Sequence, residues 1–214
     1  MKNDLTELVF ILDKSGSMAG LESDTIGGFN AMLAKQKQEP GEANVTTVLF
    51  DDGYELLHDR LNIKGVAPIS SAEYAVGGCT ALLDAIGKTI HKIGNVQKYS
   101  SEDLRAGRVL FVITTDGLEN ASRHFSAEKI KHMVEHQKSQ YGWEFIFLGA
   151  NIDAVETAER FGIDRDRAAN YHADSIGTSL NFQAVTCAVS EFRAGKKIDE
   201  NWKQSIDEDY QKRK

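Results

Sequence analysis

The sequence predicts an α/β fold: a doubly wound, mostly parallel sheet of six strands with one antiparallel edge strand and helices on both faces. Two observations predict it. Short, continuous apolar runs alternate along the chain with segments of helical periodicity, as expected when a parallel sheet is buried on both faces. The pair Asp52-Gly53 joins two strand-like segments, and such a pair is typical of a β-hairpin.

The first half of the chain contains three predicted strands and a helix. Residues 7–13, ELVFILD, contain an uninterrupted run of five apolar residues, the pattern of a fully buried strand. Residues 23–38 carry apolar side chains at helical spacing, and Ser23 is the predicted N-cap of that helix. Residues 44–52 and 54–60 form the hairpin, which places an antiparallel strand at one edge of the sheet.

The second half continues the same alternation. A helix is predicted over 81–94, a strand over 108–117, a helix capped by Ser126 over 126–140, and a strand over 143–151. A further helix, a weak strand and a long helix are predicted over 152–161, 168–172 and 175–193. This order is that of a Rossmann-like sheet.

The predicted organisation is a single domain over 1–195 followed by a charged, amphipathic tail over 196–214. The whole chain has 214 residues, close to the usual size of one domain. In the tail, apolar residues recur every four positions, at Ile198, Trp202, Ile206 and Tyr210. We expect a helix that packs this stripe on the domain. A docking segment for a partner is the alternative.

Charge and composition narrow the classes of partner. The formal net charge of −7 repels a phosphate backbone, so nucleic acid is not an expected partner. Two cysteines, Cys79 and Cys187, are too few for a disulfide framework, and we expect reduced thiols. No signal peptide and no apolar run of roughly 20 residues is visible, so the sequence predicts a cytoplasmic protein without a membrane segment.

Three loops bring oxygen-bearing side chains to the carboxyl ends of the strands, where ligands bind in open parallel sheets. The first loop supplies Asp13, Ser15 and Ser17 at alternating positions. Thr80 stands at the start of a helix, behind a pair of glycines, and Asp116 ends a buried strand. If the strand order is 3-2-1-4-5-6, the two aspartates face one crevice at the point where the order reverses.

A set of ligands made only of oxygen suits a hard cation. Mg²⁺ takes about six oxygen ligands and retains several waters, so few charged ligands suffice, and Mn²⁺ is a second possibility. Hydroxyl groups bring no negative charge to the ion. The site therefore has room for one more anionic oxygen, which an Asp or Glu of a protein partner can supply.

These motifs resemble the metal-ion-dependent adhesion site (MIDAS) of the von Willebrand factor A-like (vWA) family. The resemblance rests on DKSGS at 13–17, Thr80 behind its glycine pair and Asp116-Gly117, and it extends over roughly 5–193. It implies hydroxyl ligands from the two serines and the threonine, and aspartates that bind directly or through water. Without a secretion signal, the chain resembles the intracellular members, which act as adaptors or assembly factors, some beside AAA-type ATPases.

Two other functional classes remain open. An aspartate after a buried strand is also the nucleophile of Mg²⁺-dependent aspartyl phosphotransferases and phosphatases, but those enzymes need a second acid where Ser15 stands. No general base is evident in the three loops, so we expect no enzymatic activity. The remaining class is a metal-independent scaffold that binds through the C-terminal tail.

Histidine and cysteine residues offer weaker alternatives. His124, His132 and His136 suggest zinc, but the spacing lacks a zinc motif and the helix is rich in Lys and Gln. Cys79 borders the proposed site without a histidine tied to it by sequence, and we expect a small, buried apolar residue.

Further polar residues follow strand ends on the same edge of the sheet. Asp51, Asp52 and Asn151 are expected to be turn and cap residues rather than to line the crevice. Glu119 and Asn120 come just after Asp116, and we expect them to support the site or to contact the partner.

Overall fold

The structure, a computed structural model, describes residues 2–213, and their side chains from residue 4 onward. One six-stranded sheet has the strand order β3-β2-β1-β4-β5-β6. Its neighbouring strands are parallel except for the antiparallel pair β2 and β3 at one edge. The strands are β1 (Lys2–Asp13), β2 (Glu42–Phe50), β3 (Tyr54–Asn62), β4 (Ala106–Thr115), β5 (Glu144–Gly149) and β6 (Ala168–Asn170). The predicted fold class is confirmed.

Helices cover both faces of the sheet. They are α1 (Glu22–Gln36), α2 (Leu82–Tyr99), α3 (Ala127–Tyr141), α4 (Ala154–Arg160), α5 (Ser175–Arg193) and α6 (Gln204–Lys212). Side chains alternate along a strand, so Phe10 and Leu12 pack beneath α1 and α5 while Val9 and Ile11 pack beneath α2. Within residues 2–213, no helix is both long and apolar enough to cross a membrane.

The strand register aligns the loops of the candidate site. Asp13 pairs with the last residue of β2, Leu12 with Thr114 of β4, and Thr115 with Gly149 of β5. β1, β4 and β5 therefore end at the same edge. Because β1 lies between β2 and β4, the strand order reverses there, as predicted.

Several element boundaries differ from the prediction: α2 extends to Tyr99 rather than ending at 94, and β1 and α1 begin at other residues. β1 begins near residue 2 rather than 7, because Leu5 and Thr6 are buried and pair with β2. Ser23 is not the N-cap of α1: the helix begins at Glu22, and its start is set by the buried Leu21 rather than by a capping side chain.

The C-terminal stripe packs against the domain. Ile198, Trp202 and Ile206 are buried in the same core cluster as α5, and the Trp202 indole donates a hydrogen bond to the Asp166 carbonyl at 2.7 Å. The His172 and Tyr210 rings lie 4.8 Å apart between centroids. The prediction of an apolar stripe that packs on the domain is thereby confirmed.

Candidate metal site

Three hydroxyl groups from two loops converge at the carboxyl edge of the sheet. The hydroxyl oxygens of Ser15 and Ser17 lie 3.1 Å apart, and the Thr80 hydroxyl donates to that of Ser15 at 3.0 Å. Thr80 is 65 positions from Ser15 in the sequence. The Gly16 amide donates to the Gly78 carbonyl at 3.1 Å and holds the two loops together.

Asp13 is 1% exposed and has a hydrogen bond to each carboxylate oxygen. Oδ1 accepts from the Ser15 amide at 2.7 Å, and Oδ2 accepts from the Thr115 hydroxyl at 2.6 Å. Burial raises the pKa of this carboxyl group, and the bonds from Ser15 and Thr115 offset part of that rise. The carboxylate is thus fixed in place by the first loop and the end of β4.

Asp116 is also 1% exposed, but neither of its carboxylate oxygens accepts a hydrogen bond. Burial raises the pKa of this group, and the charge of Asp13 adds to the rise; the Ser17 hydroxyl is close enough to lower it without forming a hydrogen bond. A buried carboxylate without a partner is costly. Two unpartnered acidic oxygens beside three hydroxyls match the donor set of a hard divalent cation.

Gly117 allows the three loops to approach one another. A Cβ at this position would lie 3.0 Å from Ser17 Oγ and 3.2 Å from Thr80 Oγ1. Both distances are tighter than ordinary contacts, so the two hydroxyls sit where a side chain at 117 would displace them. The absence of a side chain at 117 therefore lets the loop after β4 lie close to Ser17 and Thr80.

We expect Gly117→Ala to lower the affinity for a divalent cation by about 10- to 100-fold, as changes to residues that support metal ligands typically do. The added methyl group displaces the hydroxyls of Ser17 and Thr80 while the core is untouched. Calorimetric titration with Mn²⁺ measures the effect. Gly27→Ala is the matched control, because a Cβ there meets nothing within 4 Å; an equal loss of affinity in both variants would contradict the account.

Asn120 ties Thr80 to the loop that follows β4. The Thr80 amide donates to Asn120 Oδ1 at 2.9 Å, and the Thr80 carbonyl accepts from the amides of Asn120 and Ala121 at 3.0 and 3.2 Å. This pairing agrees with the expectation that Asn120 supports the site.

Glu119 caps α2 from outside the helix. Its Oε2 accepts from the Leu83 amide and the Ser122 hydroxyl, both at 2.8 Å, and its Oε1 accepts from the amides of Ala121 and Ser122 at 3.0 and 2.8 Å. A carboxylate at a helix N-terminus is favourable. Glu119 therefore also supports the site, since Thr80 lies just before α2.

Other supporting residues have no signal in the sequence. Thr115 bonds to Asp13 across 102 positions, and the Tyr74 hydroxyl donates to the Asp13 carbonyl across 61. Tyr171 donates to the Thr115 carbonyl at 3.4 Å. Burial raises the pKa of both tyrosines, so these hydroxyls stay protonated and donate. Only the tertiary fold brings these residues to the strand ends.

The remaining polar residues on this edge are partly turn residues, as expected. Asp51 Oδ1 accepts from the Gly53 amide at 2.6 Å within the hairpin turn. Asn151 has a left-handed φ of 56°, and its side chain also donates to the Asp116 carbonyl at 3.3 Å. A Cβ on Gly78 would lie 2.2 Å from Asp52 Oδ1, so Asp52 packs against the loop that precedes Thr80. Asp52 and Asn151 thus touch the loops of the site.

The prediction that Cys79 is a small buried residue is wrong. Its side chain is exposed, whereas the neighbouring Thr80 is buried and turned toward Ser15. The hydrogen bonds of Thr80 to Asn120 and Ser15 fix its side chain inward, and Cys79 is left facing solvent.

The histidines do not form a metal cluster. His124, His132 and His136 are exposed. Among the residues that the structure describes, no three His, Cys, Asp or Glu side chains are grouped to hold an ion. The candidate site does not depend on such a group, because three of its five side chains carry hydroxyls.

Comparison with known proteins identifies the fold. No protein-family model matches the sequence, and no curated protein sequence matches it either. Solved structures do match. A von Willebrand factor type A protein from Catenulispora acidiphila is 12% identical with a TM-score of 0.60, covering 88% of this chain and 43% of its own. The ArnB paralog VWA2 from Sulfolobus acidocaldarius is 18% identical with a TM-score of 0.53, covering 88% and 45%.

A third match is described as having a metal in its MIDAS motif. Proximal thread matrix protein 1 from the mussel byssus, with a zinc-occupied MIDAS motif, is 13% identical with a TM-score of 0.59 and covers 89% of this chain and 47% of its own. The chain thus spans less than half the length of each of these three proteins. The sheet order, the antiparallel edge strand and these matches together show that the chain has the fold of the von Willebrand factor A-like domains.

Proposed function

We propose that the chain is a divalent-metal-dependent protein-binding module. Asp13, Ser15, Ser17, Thr80 and Asp116 would hold Mg²⁺ or Mn²⁺. The single observation that carries the proposal is the Asp116 carboxylate, which is buried and unpartnered next to three converging hydroxyls. A bound cation would supply the positively charged partner that this carboxylate lacks.

The two aspartates differ in what they contribute. Both oxygens of Asp13 are engaged, which suits a carboxylate that acts through water or through the hydroxyls it orients. Asp116 has both oxygens free for direct contact. The Thr115 hydroxyl and the Ser15 amide fix the carboxylate of Asp13. Asn120 and Glu119 fix the loop that carries Thr80.

An open coordination position defines the partner. A bound ion supplies a hard Lewis acid that prefers oxygen and about six ligands. Five side chains, each acting directly or through a water, leave one of about six positions open, and a carboxylate from an Asp or Glu of a protein partner would fill it. The zinc-occupied MIDAS motif of the mussel protein supports a divalent ion at this place in the fold. The donor set of oxygens alone favours Mg²⁺ or Mn²⁺ over zinc.

We propose that the module acts inside the cell as an adaptor or assembly factor. An AAA-type ATPase system is among the partners we propose. The setting rests on the sequence resemblance to intracellular vWA proteins. A role as an adaptor or assembly factor requires no catalytic group, and we assign none of the loop residues as a general base.

An aspartyl phosphotransferase is the alternative for the same residues. Its nucleophile must be open to the phosphate, whereas Asp13 is buried with both oxygens hydrogen-bonded. The position two residues on is Ser15, which cannot serve as the general acid such enzymes use. Hydrolysis of a generic phosphate ester in Mg²⁺ by the wild type but not by Asp13→Ala would favour this alternative.

The test of the proposal is affinity capture from the native cell. Wild type in Mg²⁺ is expected to retain a partner that is lost in EDTA and lost with Asp13→Ala. Asp164→Ala is the control, because Asp164 is an exposed acid on another part of the domain that pairs with Lys138 at the surface. Capture that persists in EDTA and in Asp13→Ala would contradict the proposal and favour binding through the C-terminal tail.

A further inference from the structure

A groove of about 710 Å³ lies between α2 and α3 at the amino end of β4. The candidate metal site lies at the carboxyl end of the same strand, and ten residues of strand separate the two edges by about 30 Å. The volume is in the range of small-molecule sites. Tyr141, whose side chain is 65% exposed, contributes apolar surface, and Gln97, Lys98 and Arg105 contribute polar surface.

The groove is positively charged, although the chain as a whole carries −7. Its lining includes the cations Lys98 and Arg105, and it contains no Asp or Glu. Arg108 also borders the groove, but its guanidinium is directed to the other face of the sheet, where it donates to the carbonyl of Arg193 at 3.1 Å. Within residues 2–213, neither Lys98 nor Arg105 has an acidic partner within 4.0 Å. An anion is therefore the complementary ligand.

Two buried donors in the wall of the groove lack acceptors. Gln97 Nε2 and Arg105 Nε are buried and make no hydrogen bond. The guanidinium of Arg105 is held by one bond, from Nη2 to the Ser100 carbonyl at 3.0 Å. Buried donors without acceptors are rare in native proteins, and each is a cost to stability. A ligand rich in acceptor oxygens would satisfy them after a small shift of either side chain.

We propose that this groove is a second ligand site, for a small organic phosphate. The phosphate would accept hydrogen bonds from Gln97, Lys98 and Arg105, and the organic portion would pack on the exposed ring of Tyr141. Arg is suited to this role because its planar, multiple donors match phosphate oxygens. The site is independent of the proposed metal site, since none of its residues belongs to the three loops at the carboxyl edge.

The test is calorimetric titration of the full chain with phenyl phosphate and with inorganic phosphate, at low ionic strength and in EDTA. We expect saturable binding of one phenyl phosphate per chain, tighter than inorganic phosphate because of the apolar wall. Arg105→Gln is expected to weaken binding about tenfold, the loss of one charge-assisted hydrogen bond. Lys88→Gln is the matched control: Lys88 is on α2 too, but it lies over the Tyr54 ring, outside the groove.

A second variant separates a ligand site from a structural role. Gln97→Leu removes a buried unpartnered donor, so it is expected to raise the melting temperature without ligand while weakening phenyl phosphate binding several-fold. Absence of saturable binding in the millimolar range, or equal weakening by Lys88→Gln and Arg105→Gln, would each overturn the proposal.

Discussion

Mg²⁺ at about 100 times its Kd is expected to add about 2.7 kcal/mol to the free energy of unfolding, because only the folded chain brings the ligands together. For a domain of this size the melting temperature rises by roughly 5–10 °C. Thermal unfolding in Mg²⁺ and in EDTA measures the difference.

Asp116→Asn is expected to abolish this gain and, in EDTA, to make the protein more stable than wild type by a few degrees. The two effects have opposite signs because the same carboxylate is a ligand when an ion is present and an unpartnered buried charge when it is not. Asp164→Asn is the control: Asp164 is an exposed acid paired with Lys138 at 2.7 Å, far from the three loops in the sequence. A variant of Asp116 that loses stability in EDTA would contradict this reading.

The pH dependence of stability has a definite sign. Burial raises the pKa of Asp116 and of Asp13 in the folded state. Between the ordinary pKa of aspartate and these raised values, the folded state binds more protons than the unfolded state, so stability falls as pH rises. In EDTA, the difference in stability between Asp116→Asn and wild type is therefore expected to grow with pH through this window. Mg²⁺ is expected to reverse the trend, since it favours the ionised carboxylates.

Glu119→Ala is expected to lower the free energy of unfolding by about 1–3 kcal/mol, the scale for partly buried donors that lose a charged acceptor. Three backbone amides and the Ser122 hydroxyl lose their acceptor, and α2 loses its cap at Leu83. Because the same loop holds Thr80 through Asn120, cation affinity is expected to fall as well. Urea unfolding and Mn²⁺ titration measure the two effects.

Glu102→Ala provides the comparison for Glu119. Glu102 is exposed in the loop before β4, and substitutions at such positions usually change stability by less than about 0.5 kcal/mol. Equal stability changes in the two variants would show that the carboxylate of Glu119 does not organise the loop.

The fold was predictable because its signals are local. The apolar runs that form β1, β4 and β5 lead into Asp13, Asp116 and Asn151. The turn at Asp52-Gly53 joins β2 to the antiparallel edge strand β3. From these strand ends, the rule that ligands bind where strand order reverses predicted that Asp13 and Asp116 lie together. The start of β1 and the cap of α1 differ from the prediction because tertiary burial of Leu5, Thr6 and Leu21 outweighs the local patterns.

The support of the site was less predictable because it depends on contacts that are distant in the sequence. Thr115 is adjacent to Asp116, yet its hydroxyl donates a hydrogen bond to the carboxylate of Asp13. No spacing of residues in the sequence indicates this contact. Tyr74 comes from a loop without regular structure, and its contact with the Asp13 carbonyl exists only once that loop has folded over β1. The residue type of Cys79 predicts burial, but the side chain is exposed. In this loop it is Thr80 that is turned inward, toward Ser15.

The central claim is that three loops form one divalent cation site. Titration with Mn²⁺, followed by electron paramagnetic resonance of the free ion, tests it most directly in wild type, Thr80→Ala and Asp116→Asn. The account predicts one bound ion per wild-type chain, at least tenfold weaker binding in Thr80→Ala, and none in Asp116→Asn. No bound ion in wild type, or binding that is the same in all three proteins, would contradict it.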